Sequence, residues 1–278
     1  MAIKLVVSDL DGTLLNRTSR LDSNTVRAVK SLNEEGILFT FATGRIDLNT
    51  WHFAKQLNLQ LPIISCNGAL IRYPFTGEPV YEAYLPDAPV DAILRLFQSE
   101  KRDFFVYTPT SIYYPDYSLA VERFRYYNLL AASNDLPQIE MINYTDWQKN
   151  KSNLCPPGTV KLYCHAKDRE QVSKLGALVD SYPELTALKC AKEAVDIMVK
   201  GSDKSKGLLK VADLFHIGID EIAAFGDEEN DLKMLQTVGY PFLMKNAVKT
   251  LRNRLQSYHL AENHNCAGFA RAVRQYIL

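Results

Sequence analysis

The chain has no excess of charge: Lys plus Arg and Asp plus Glu number 32 each. No global field draws it toward nucleic acid or an anionic membrane, so any anion site must be local. Cysteine is scarce and odd in number, at Cys66, Cys155, Cys164, Cys190 and Cys266. There is no Cys-x-x-Cys pair and no ligand-like spacing to His52, His165, His216, His259 or His264, which excludes a disulfide framework and a cysteine–histidine zinc site. Long apolar runs are missing as well. The N-terminal run gives way to Asp9 after a few residues without the form of a signal peptide, and no later run could span a bilayer. Internal repeats and low-complexity linkers are absent. The expectation is a cytoplasmic protein with neither nucleic-acid nor membrane partners.

What is present is more specific. A chain of 278 residues can bury a substantial core and form two domains, one large and one smaller. The apolar run Val6-Val7-Ser8 stops on Asp9-Leu10-Asp11-Gly12-Thr13-Leu14. Two carboxylates that close repel each other, so the arrangement costs stability unless a cation, a proton or a reaction makes use of it.

Strand and helix then alternate. Leu21-Asp22-Ser23-Asn24 offers helix caps, Val26, Val29 and Leu32 recur at helical spacing, and Gly36 supplies a stop. Ile37 to Phe41 is a β-rich run ending on Thr43-Gly44-Arg45, and Pro62 to Ser65 is a third run, leading into Cys66-Asn67-Gly68. Such alternation predicts a parallel sheet with both faces covered. The middle differs: Phe104 to Tyr107 and Ser111 to Tyr114 flank a Thr-Pro-Thr turn, Val160 to Cys164 follows Pro-Pro-Gly, and helical patterns cover Val90 to Ser99 and Arg169 to Val179. This reads as an α+β insert over about residues 84–190, joined by short crossings near Tyr84 and Lys192. The core sheet is expected to resume at Val195 to Val199, followed by a helix from Lys206 to Phe215 and a strand at Ile222 to Phe225 that ends on Gly226-Asp227.

Ligands of open parallel sheets sit outside the carboxyl ends of the strands. The predicted strand ends bring Asp9, Asp11, Thr43, Gly44, Asn67 and Asp227 toward one pocket, with Lys206 opening a nearby helix. Carboxylates on two separate strand ends, Asp9 and Asp227, suit a hard cation such as Mg2+. A hydroxyl, backbone amides and an ammonium beside that cation suit a phosphate. Taken singly, each stretch has a plain reading: Asp-x-Asp-Gly as a solvated turn, Thr43-Gly44-Arg45 as a strand-to-helix turn, Lys206 as a surface lysine, Asp227 as a helix cap.

Four stretches together resemble the motifs of the haloacid dehalogenase (HAD) superfamily, and within it the Cof-type sugar phosphatases of subclass IIB. They are Asp9-Leu10-Asp11-Gly12-Thr13-Leu14, Thr43-Gly44-Arg45, Ser205-Lys206-Gly207 and Gly226-Asp227-Glu228-Glu229-Asn230-Asp231, in the family's order. The fold class implied is α/β, a Rossmann-like HAD parallel-sheet core over residues 1–83 and 191–278, with the insert at 84–190 as an α+β cap that selects the substrate. The resemblance implies a magnesium-dependent phosphatase acting on a small phosphomonoester. Asp9 would be the nucleophile that forms an aspartyl phosphate, and Asp11 the acid and base. Leu10, Thr43, Gly44, Lys206 and Asn230 would hold the phosphoryl oxygens. Asp9, the carbonyl of Asp11 and Asp227 would hold magnesium, and Asp231 would orient the lysine or a metal-bound water. A phosphomutase of the phosphomannomutase type and a non-catalytic phosphate-ligand sensor are the alternatives. The chain departs from its relatives at Met244-Lys245-Asn246-Ala247 and at Cys266-Ala267-Gly268, stretches expected to lie apart from the four motifs.

Overall fold

Leu5, Val6 and Val7 are fully buried, as a strand covered on both faces requires. In the computed structural model, which describes residues 2–149, 151–166, 168–191 and 193–278, this strand, Leu5–Ser8, lies inside a five-stranded sheet. Its neighbours are Ile222–Gly226 and Leu38–Phe41, and Tyr240–Met244 and His259–Ala261 extend the Ile222 side. All four pairings are parallel. The carboxyl ends of Leu5–Ser8 and Ile222–Gly226 are in register, Ser8 opposite Phe225, so the residues that follow each strand emerge side by side.

Helices cover this sheet for reasons visible in the sequence. Ser23–Glu34 begins where the Asp22 carboxylate accepts from the N–H groups of Asn24 and Thr25, and it buries Ala28, Val29 and Leu32. Such a cap contributes about 1 kcal/mol. Lys204–Leu214 starts where Asp203 accepts from the Lys206 N–H. The run at Ile63–Ser65 meets the large sheet through an isolated bridge between Ala42 and Ile64, and pairs antiparallel with Leu70–Arg72 in a smaller sheet.

Contacts divide the chain into two units. One comprises the chain up to Arg45, Phe53–Val80 and Asp203–Leu278, and the other Ile46–His52 with Tyr81–Ser202. The second unit holds a six-stranded sheet in the order Leu185–Ala191, Ala194–Val199, Lys161–His165, Phe104–Tyr107, Ser111–Tyr114, Glu140–Asn143. Helices Asp87–Ser99 and Arg169–Asp180 contribute Phe97 and Leu175 to a core with Phe104, Val106, Leu162 and Ile197.

One expectation fails here. Val195 to Val199 does not restart the parallel sheet: Ala194–Val199 pairs antiparallel with Lys161–His165 and Leu185–Ala191. The reason lies in its alternation. Val195 and Ile197 join the apolar core, whereas the intervening Asp196 forms a buried ion pair with Lys161 at 3.2 Å. That period-2 pattern belongs to a strand with two unlike faces, not to one buried between helices. The second unit therefore runs to Ser202, past the expected boundary at 190. The crossing expected at Lys192 falls on a residue outside those described.

Candidate active site

The site is built in the first unit, where two strand ends converge. Asp9 follows Leu5–Ser8 and is 6% exposed, its N–H donating to the Phe225 carbonyl at 2.9 Å. The chain then turns so tightly that the Leu10 carbonyl accepts from the N–H groups of Leu14 and Leu15. Gly12 makes the turn possible. It sits at φ +83°, and a Cβ there would stand 2.2 Å from Asp227 Oδ2. Thr13 Oγ1 donates to Asp227 Oδ1 at 2.8 Å, tying the first loop to the end of Ile222–Gly226.

Asp231 is fully buried and its carboxylate holds three residues. Its Oδ2 accepts from the N–H groups of Asp227 and Glu228, each at 3.0 Å, and its Oδ1 accepts from Lys204 Nζ at 2.7 Å. Lys204 Nζ also donates to Asp9 Oδ1 at 2.5 Å. One ammonium, 1% exposed, thus bridges two carboxylates from different parts of the chain.

This is a correction to the motif reading, which places Lys206 here. Lys206 is exposed. Two residues along a helix is a rotation of about 200°, so when Lys204 faces the carboxylates Lys206 faces away. The signal was present in Asp203, whose capping carboxylate makes Lys204 the first helical residue.

Carboxylate oxygens of Asp9, Asp227 and Asp231 lie within 4.8 Å of one another. Burial raises the Asp9 carboxyl well above its ordinary range, and Asp231, Asp227 and Asp11 add to the rise against the opposing pull of Lys204. Asp227 is pushed up to about 7, first by burial and then by Asp231. Burial would lower the Lys204 ammonium, but Asp231 and Asp9 outweigh it and hold it above its ordinary value. Three buried carboxylates around one ammonium leave uncompensated negative charge, the condition a hard divalent cation relieves. The donors fit magnesium. All three carboxylates lie close enough to face one such cation, Asp231 held by Lys204 and two backbone N–H groups, Asp9 by Lys204 and Asp227 by Thr13.

The remaining predicted residues gather nearby. Thr43 is buried, and its Oγ1 accepts from the Arg45 N–H at 3.1 Å, leaving its hydrogen as a donor. Arg45 grips the Asp11 carboxylate with both arms, Nε to Oδ2 at 2.7 Å and Nη2 to Oδ1. Asn230 Nδ2 donates to Asn67 Oδ1 at 3.0 Å, and a Cβ on Gly44 would stand 3.2 Å from that same oxygen.

Asn246 overturns a third expectation. Its Nδ2 donates to the Gly12 carbonyl at 2.8 Å and to Asp227 Oδ2 at 3.2 Å, and its Oδ1 accepts from the His264 N–H at 3.1 Å. The Met244-Lys245-Asn246-Ala247 stretch therefore touches the first and fourth motifs. Its strand, Tyr240–Met244, runs parallel to Ile222–Gly226, which brings the residues after both strands to the same edge. No local pattern encodes that adjacency.

The family model for haloacid dehalogenase-like hydrolases matches residues 6–273 of this chain. The chain belongs to that family. It is accordingly a hydrolase, of the phosphatase kind for which several of its relatives are named. A 5-amino-6-(5-phospho-D-ribitylamino)uracil phosphatase of Bacillus subtilis is 27% identical over 98% of this chain and 97% of its own. The HMP-PP phosphatase of Klebsiella pneumoniae is 26% identical over 91% of this chain and 88% of its own. In fold, the chain matches a HAD subclass IIB sugar phosphatase with a TM-score of 0.80 at 21% identity, covering 99% of this chain and 100% of the other. The HAD-like architecture expected from the motifs, a parallel-sheet core in a mixed α/β chain, is the one this protein adopts.

Proposed function

We propose that this HAD-like phosphatase hydrolyses a small phosphorylated metabolite, with a sugar or polyol on the leaving side, through an aspartyl phosphate on Asp9 and with magnesium as cofactor. The observation that carries this reading is the pairing of unlike carboxylates. Asp9 is buried and gripped by Lys204, whereas Asp11, two residues on, is exposed and gripped by Arg45. A fixed, desolvated carboxylate suits a nucleophile, and a more open one suits an acid and base that must meet both leaving group and water.

In this reading an Asp9 oxygen attacks phosphorus while the bond to the leaving oxygen breaks, and Asp11 gives that oxygen its proton. Water then attacks the aspartyl phosphate, Asp11 takes a proton from it, and Asp9 is regenerated. Thr43, Lys204, the Asn230 amide and the backbone N–H groups of Leu10 and Gly44 hold the phosphoryl oxygens, with Lys204 in the place first given to Lys206. Asp9, Asp227 and the Asp11 carbonyl would hold magnesium, which would neutralise the carboxylates and polarise the phosphoryl group. A phosphorylated ribityl chain in one relative's name and a sugar phosphatase among the structural matches support the polyol or sugar leaving group. A cytoplasmic setting fits the thiols of Cys155, Cys164 and Cys266, and no described helix is long and apolar enough to cross a membrane.

Phosphate release from a panel of sugar and polyol phosphates, with magnesium and after chelation, tests the reading. Activity should vanish on chelation and in Asp9→Asn, whose amide cannot attack phosphorus. Near-native turnover by Asp9→Asn would remove Asp9 as nucleophile, and faster isomerisation of a hexose 1-phosphate than phosphate release would indicate a mutase.

A further inference from the structure

Beside the phosphoryl pocket three successive residues take positive φ: Cys66 at 46°, Asn67 at 52° and Gly68 at 89°. Two of them carry side chains, for which the left-handed region is unfavourable. The turn is held by its surroundings. The Cys66 N–H donates to the Arg45 carbonyl at 2.8 Å, and the Asn67 N–H to the Thr43 carbonyl at 2.9 Å. On the other side Gly68 packs so closely that a Cβ would stand 2.3 Å from the Asp203 carbonyl oxygen, at the start of the helix that carries Lys204. The segment is thus wedged between the Thr43 loop and that helix.

The wedge brings the Asn67 side chain, 1% exposed, under Gly44 and points its Oδ1 at Asn230 Nδ2. A side-chain amide has two ends of nearly equal size and opposite hydrogen-bonding sense. An anion needs the N–H end. With one Nδ2 hydrogen of Asn230 committed to Asn67, the second is fixed in the amide plane, on a residue that remains partly open to solvent. We propose that Asn67 is a positioning residue of the phosphoryl pocket, imposing on Asn230 the amide orientation that presents N–H to a phosphoryl oxygen. This rests on the reading of Asn230 as a phosphoryl ligand.

Glycine separates this role from a merely structural one, because it adopts φ near +52° without strain and lacks the acceptor. Relief of the left-handed strain offsets the lost buried amide, so Asn67→Gly should stay folded and melt within a few degrees of the native protein. Its orthovanadate affinity, measured calorimetrically with magnesium present, and its kcat/KM should each fall by about 10- to 100-fold, the scale of a misplaced contact. Asn67→Gly combined with Asn230→Ala should be no worse than Asn230→Ala alone, because both remove one interaction. Native vanadate affinity and kcat/KM in Asn67→Gly would overturn the proposal, as would losses that multiply in the double variant. Failure of the unaltered chain to bind orthovanadate would overturn the phosphate-site reading and the proposal together.

Discussion

Lys204 and Lys206 stand two positions apart in Asp203-Lys204-Ser205-Lys206-Gly207, and only their placement on the helix separates a buried bridge from a solvated side chain. Removing Lys204 strands Asp9 and Asp231 in the interior. Breaking a buried pair in this way costs about 3–5 kcal/mol. We expect Lys204→Ala to lower the melting temperature and to reduce phosphate release by about 10²–10³-fold, the scale for loss of a preorganised donor. Lys206→Ala, an exposed substitution, should shift stability by no more than about 0.5 kcal/mol and leave phosphate release near the native level. Thermal melts and steady-state assays of the two variants side by side decide the matter. An active Lys204→Ala beside an inactive Lys206→Ala would reinstate the motif reading.

Among the elements, those with a local cause were legible. Asp22 and the spacing of Val29 and Leu32 foretell Ser23–Glu34, and the helical patterns at Val90 and Arg169 correspond to Asp87–Ser99 and Arg169–Asp180. Ala194–Val199 is legible as a strand, and the alternation of Val195 and Ile197 with Asp196 signals two unlike faces, but which strands it pairs with is settled only in the fold. The loop after Leu5–Ser8 shows how closely two elements can constrain each other. Gly12→Ala forces a side chain into the left-handed region and against Asp227 Oδ2, the oxygen that Asn246 holds while Thr13 holds Oδ1. We expect a loss of about 10²-fold in phosphate release, since displacements near 1 Å have that effect. The magnesium concentration for half-maximal activity should rise with it. An unchanged magnesium titration in Gly12→Ala would show that the loop and Asp227 are not mechanically joined.

For the whole molecule, the buried acidic cluster sets the pH dependence of stability. Without metal, folded Asp227 keeps its proton up to about pH 7, whereas in the unfolded chain it loses it near the ordinary 3.8. Between those values the folded state binds more protons, so stability declines as pH rises through the window. Asp9 and Glu228, also raised, act in the same sense. His264, held below its ordinary 6.5 by burial, acts in the opposite sense, but it is partly exposed and a single group. The chelated protein should therefore melt at lower temperature at about pH 7.5 than at about pH 5, and magnesium should raise the melting temperature more at the higher pH, where the carboxylates are ionised. A metal-free melting temperature that climbs across this range would show that the cluster does not control stability. The sequence by itself determined the helices, whose caps and periodicity are local, and the family, because four motifs in one order mark haloacid dehalogenase-like hydrolases. Tertiary structure alone decided which lysine meets Asp9, which sheet receives Ala194–Val199, and that Asn67 and Asn246 belong with the site. Those contacts join residues 163 and 234 positions apart, and close only when strands of both kinds have taken their partners.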